Sequence, residues 1–114
     1  MAGLSDAART ALAAVLDPSE RVDQVVAAVG CTLVLTDRHL VLVRDGANYR
    51  PRTGVQSWPL DRGLRLHLAP VRRDTGRLVI DRAGQSASVF LTAVQMSQAR
   101  TLIADARQRI YSDG

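Results

Sequence analysis

The stretch from Cys31 to Arg44, CTLVLTDRHLVLVR, constrains the fold more than any other part of the chain. It reads as two apolar strands folded back on each other around Thr36-Asp37-Arg38-His39. Pairing Leu35 with Leu40 and Leu33 with Leu42 gathers the leucines on one face and leaves Thr32, Val34, Val41 and Val43 on the other. A one-residue slip mixes the two sets, so the pattern itself specifies the register.

The segments around this hairpin are short and punctuated. A helix is expected from Ser5 to Leu16, with Ser5 as N-cap and Pro18 as its stop, carrying an apolar stripe of Ala8, Leu12, Val15 and Leu16. A first strand follows from Arg21 to Val29, and Gly30 permits a tight reversal into the hairpin. Asp45 to Thr53 is a polar loop. Val55 to Leu60 is a strand whose Pro59 suits an edge or a bulge. After a turn at Asp61-Arg62-Gly63, Leu64-Arg65-Leu66-His67-Leu68 alternates strictly, with the leucines inward. Arg72-Arg73-Asp74-Thr75-Gly76 reads as a turn, Arg77 to Asp81 as a strand, Arg82 to Gln85 as a turn and Ser86 to Leu91 as the last strand. From Ala93 the period changes: Ala99, Leu102, Ile103, Ala106 and Ile110 mark an amphipathic helix that Thr92 can cap.

A chain of 114 residues is one domain that buries roughly two-thirds of its unfolded surface. The expected organisation is an N-terminal helical segment over 1–19 and a single structural unit over 20–114. No apolar run approaches the ~18 residues of a membrane span, and the N-terminus lacks a basic leader, so a soluble, cytoplasmic protein is expected. Cys31 is the single cysteine, which excludes an intrachain disulfide and a cysteine-based zinc site. All fifteen basic residues are arginine, set against eleven acidic ones. Arg and Asp alternate along the chain without a basic run, so the surface reads as solvated despite a sequence pI near 10.5.

Seven short strands followed by one amphipathic helix resemble a pleckstrin-homology-like (PH-like) domain. The stretch Leu33 to Val43, LVLTDRHLVLV, resembles the bacterial PH-like families in which an apolar strand, a Thr-Asp-Arg turn and a second apolar strand recur. Gly54 to Leu60, GVQSWPL, resembles their following strand. Pro18-Ser19-Glu20 is similar to the start of the subgroup with an N-terminal helix. The resemblance runs from about Glu20 to Tyr111. It implies a mainly β fold with flanking helices: a seven-stranded antiparallel barrel or sandwich capped by the C-terminal helix. It also implies a non-enzymatic interaction module, presenting a surface to another protein or to copies of itself; some bacterial relatives form ring-shaped homo-oligomers. The alternative is peripheral binding to anionic lipid headgroups through arginine-bearing loops.

Nothing in the sequence assembles a catalytic or metal-binding set, and no cofactor or small-molecule substrate is implied. His39 and His67 lack partners at ligand spacing; His67 is expected on the surface, and His39 in a structural hydrogen bond to the backbone of its turn. Gly63, Gly76 and Gly84 read as isolated turn glycines, not a phosphate cradle. The scarcity of aromatics argues against specific nucleic-acid binding. Arg44, Arg50 and Arg52 are the candidate anion or lipid contact. Eukaryotic PH domains, however, hold phosphoinositides in the loop between their first two strands, and here that junction is the bare reversal at Gly30. The candidate protein interface is Leu12, Val15 and Leu16 together with Trp58, which either fills the core or anchors another chain.

Overall fold

The computed structural model describes residues 12–14, 16–44 and 54–112. Four antiparallel strands form one sheet in the order β1-β2-β3-β4: β1 (Val22–Ala28), β2 (Cys31–Thr36), β3 (His39–Arg44) and β4 (Gly54–Pro59). β5 (Arg65–Arg72), β6 (Thr75–Arg82) and β7 (Gln85–Thr92) form a second, and the helix α1 (Ala93–Ser112) follows. Leu35 faces Leu40 and Leu33 faces Leu42, as the alternation requires. The β1–β2 reversal places Gly30 at φ 74°, a conformation that glycine adopts without steric cost. The Val29 amide donates to the Phe90 carbonyl at 2.9 Å, which joins the end of β1 to β7 and closes one corner of the two sheets.

The core lies between the sheets. Leu33, Leu35, Leu40 and Leu42 meet Leu78, Ile80, Val89 and Leu91, and α1 adds Met96, Ala99, Leu102, Ile103, Ala106 and Ile110. These helix positions recur at three and four residues, so one face of α1 is buried against β1, β6 and β7. Thr92 and Gln95 form a capping box: the Thr92 amide donates to Gln95 Oε1 at 2.9 Å, and the Gln95 amide to Thr92 Oγ1 at 3.5 Å.

The outward side of β2 and β3 is buried as well. Leu12, in the helical residues 12–14, packs with Val34, Val41 and Val43 of the same chain, and Leu16, Val22, Val25 and Val55 surround them. The remainder of the expected N-terminal helix, including Ser5, Ala8 and Val15, lies outside the described residues, as does the expected loop with Arg50 and Arg52.

The structure corrects the sequence reading at two places. Arg72 to Gly76 is not one turn: β5 and β6 continue to Arg72 and from Thr75, and only Arg73-Asp74 reverses the chain. Gly76 is a buried strand residue paired with Pro70 and Leu91. A Cβ there would overlap the Met96 side chain, so glycine lets the first turn of α1 lie against β6. The second place is Trp58, where the structure decides between the two readings in favour of the core and against the interface. It pairs with Leu40, shares the inward face and is 1% exposed, its indole Nε1 donating to the Gln85 carbonyl at 3.2 Å. Trp58 therefore belongs to the core, on the opposite face of the sheet from Leu12.

Candidate functional site

Two polar assemblies stand out. The first is built on the β2–β3 turn. Thr36 Oγ1 accepts the amides of Arg38 at 3.1 Å and His39 at 2.8 Å, which fixes the reversal locally. Glu20 reaches into this turn: its carboxylate accepts from Thr36 Oγ1 and lies 2.7 Å from His39 Nδ1, while Oε1 takes the Asp17 amide at 3.3 Å. Burial opposes the charged form of Glu20, but the hydrogen bonds from Thr36, His39 and Asp17 outweigh it and hold the carboxyl below its ordinary range. Beside it, the Asp37 carboxylate takes the Arg21 amide at 2.9 Å. The β-bulge in β1 leaves Asp23 without a strand partner and aims it at Arg21 and at Arg109 of α1. Arg109 also donates to the Thr36 carbonyl at 2.9 Å.

Glu, His and Thr are residue types that also build nucleophilic sites, but here the geometry is that of a clasp. Thr36 is fully buried, and its hydroxyl is committed to the turn and to Glu20. The cluster ties the entry into β1, the β2–β3 turn and the last turn of α1 together. His39 is thus bonded to a carboxylate, where a backbone partner was expected. His67 lies exposed on β5, as the alternation predicts.

The second assembly is a groove between β5, an edge strand, and α1. One hollow, of about 370 Å³, is lined by His67, Leu68, Arg100, Ile103, Ala104 and Arg107. A neighbouring one, of about 280 Å³, includes Arg62, Arg65, Leu66, Arg107 and Tyr111 among its walls. Arg107 stands between them, and its Nη2 donates to the Leu66 carbonyl at 2.8 Å. Arg107 meets this carbonyl from the side of the strand away from β6, and by the alternation of an antiparallel strand Leu66, Leu68 and Pro70 are the positions whose backbone groups face the open edge. Pro70 brings no N–H, and the register shifts between Pro70 and Arg72. The edge is thereby blunted at both ends. No acidic residue lines either hollow, and among the described residues none of Arg62, Arg65, Arg100 and Arg107 takes part in an ion pair. Arg82, by contrast, is committed to Asp61, with Nε to Oδ1 at 3.0 Å, and that pairing holds the Asp61 carboxyl below its ordinary range.

Most sequence-derived candidates fall elsewhere. Leu12 and Leu16 cover the outer face of β2 and β3. Arg44 lies at the end of β3 between Cys31 and Gly54, away from the groove. Val15, Arg50 and Arg52 are outside the described residues. The one signal for the groove in the sequence is the spacing of Arg100 and Arg107, which seven residues apart share a helix face.

Among the described residues no group of His, Cys, Asp and Glu is placed to hold a metal ion, and no helix is long and apolar enough to cross a membrane. No family model and no curated protein matches the chain. Among solved structures, a pleckstrin homology domain from Shewanella amazonensis SB2B superposes with a TM-score of 0.62 at 18% identity, over 89% of this chain and 96% of that one. The seven antiparallel strands in two sheets, closed by a C-terminal helix, are the fold of a bacterial PH-like domain.

Proposed function

We propose that the chain is a non-catalytic protein-binding module whose contact surface is the groove between β5 and α1. The observation that carries this reading is the groove itself: an edge strand and a helix wall a concave strip with an apolar floor at Leu68 and Ile103 and arginines along its rim. PH-like folds commonly serve as binding modules, and the Thr36 hydroxyl of the polar clasp is committed to its own turn and to Glu20. A partner other than a second copy is favoured, because the apolar face offered by Leu12 and Leu16 is already spent on the chain's own β2 and β3.

The test is to fill the groove without changing its charge. Ala104 is exposed and lines it, so Ala104→Trp occupies the slot with little effect on the core. Tagged wild type purified from its own cells should retain a polypeptide in stoichiometric amount that folded Ala104→Trp loses. Equal recovery by both proteins, or recovery of lipid alone, contradicts the proposal.

A further inference from the structure

We infer that the groove takes an acidic, extended protein segment, with carboxylates held by Arg65, Arg100 and Arg107 and an apolar side chain seated on Leu68 and Ile103. This inference rests on the groove being the contact surface and adds the chemistry of what fills it.

Charge complementarity is the first argument. The walls supply Arg62, Arg65, Arg100 and Arg107 and no carboxylate, and elsewhere in the chain arginines such as Arg21, Arg82 and Arg109 are paired with aspartates. Guanidinium groups bind carboxylates through paired N–H donors, and neighbouring apolar walls strengthen the contact by lowering the local dielectric. Asp81 stands opposite Arg65 across the strands, and among the described residues no ion pair joins the two.

Preorganisation is the second. Arg107 is held over the edge by the Leu66 carbonyl, yet keeps its remaining N–H groups for a ligand, so less side-chain freedom is lost on binding. The same bond consumes one edge acceptor and Pro70 lacks a donor, so an added strand loses two of the six backbone groups these positions would offer. Side chains therefore carry the specificity.

Dimensions set the length of the segment. From Arg100 to Tyr111 the helix advances about 16 Å, the reach of about five extended residues. Arg100 and Arg107 are about 10 Å apart along the axis, which matches carboxylates about three residues apart in an extended chain. A Glu-x-x-Glu pattern with leucine between the acids fits both walls. A flat lipid surface would not enter a strip bounded on both sides, and Tyr111 is the aromatic residue in its lining, too few for base stacking.

The test uses a fluorescein-labelled synthetic peptide with Glu at that spacing and leucine between, and its Glu→Gln counterpart, in anisotropy titrations at low and near-physiological salt. The Glu peptide is expected to bind about tenfold tighter than the Gln peptide, with the gap narrowing as salt rises. Arg65→Glu with Arg100→Glu should abolish the preference. Both side chains are exposed, and an unchanged amide spectrum outside the groove verifies that the variant is folded. In the wild type the amides of Leu68 and Ala104 should shift on titration. Equal binding of both peptides, no binding, or shifts confined to other faces overturn the inference. So does tighter, Arg100-dependent binding of anionic vesicles or of a single-stranded oligonucleotide. If the Glu peptide fails while Ala104→Trp still loses a polypeptide partner, the acidic chemistry falls and the groove reading stands.

Discussion

Gly76 leaves no room for a single added carbon. Replacing it by alanine puts a methyl group into the space of the Met96 side chain and 3.1 Å from the Ala69 carbonyl oxygen. Met96 is 7% exposed, a flexible side chain with little room to retreat, and the backbone oxygen can yield only by moving β5. Overpacking of this kind costs about 1–3 kcal/mol, while the reduced entropy of the unfolded chain returns up to ~1 kcal/mol. The net loss is about 1–2 kcal/mol, a fall of roughly 5–10 °C in melting temperature for a domain of this size. Thermal unfolding followed by circular dichroism measures it. Met96→Ala alone should cost about 2–5 kcal/mol by leaving a cavity, and the double variant should cost less than the sum by about 0.5–3 kcal/mol, because the new methyl fills the vacated space. A Gly76→Ala protein that melts like wild type, or strictly additive losses, would refute the packing of α1 against β6 described above.

Other consequences are open to the same assays. Ala83 holds φ 53° beside Gly84 at φ 85° in the β6–β7 turn, a conformation that asparagine tolerates better, so Ala83→Asn should stabilise by about 0.5–1 kcal/mol, seen as a higher melting temperature. Leu12→Asp should lower the melting temperature and leave the mass by light scattering unchanged, because Leu12 packs on its own chain; a mass drop without destabilisation would instead show an intermolecular contact. Glu20, Asp23 and Asp61 are all held below their ordinary range: Glu20 by the bonds that outweigh its burial, Asp23 foremost by Arg21, and Asp61 foremost by Arg82. Depressed folded values mean that the stabilisation is complete above the unfolded carboxylate values of about 4 and is lost as pH falls through the folded values. Urea midpoints should therefore drop in acid, and Glu20→Gln should flatten that drop; an unchanged acid limb would show that the clasp contributes nothing.

Much of the architecture was legible because it rests on local alternation. The leucine hairpin, the β5 pattern and the buried stripe of α1 follow from periods of two and 3.6, which the backbone imposes whatever lies around it. Arg72 to Gly76 misled because Arg, Asp, Thr and Gly are turn formers. Pro70 is tolerated at a bulged edge, and Gly76 is required by a helix twenty residues further along, at Met96. The facing of Trp58 depends on how β4 aligns with β3, and no pattern in the intervening sequence of residues 45–53 sets that register. The groove was hidden for a similar reason. Arg65 and Arg107 come together only when α1 docks beside β5, and the Leu66 carbonyl that positions Arg107 is a backbone atom with no sequence signature.

The most direct measurement of the central claim is site-specific photocrosslinking in cells. A photoreactive residue at Ala104 reports on the groove, and one at Ser86, exposed on β7, reports on a face that the proposal leaves without a partner. A discrete protein adduct at Ala104, absent at Ser86 and weakened by Arg65→Glu with Arg100→Glu, is the expected result. Adducts of equal yield at both positions, or at Ser86 alone, would contradict the assignment of the β5–α1 groove as the contact surface.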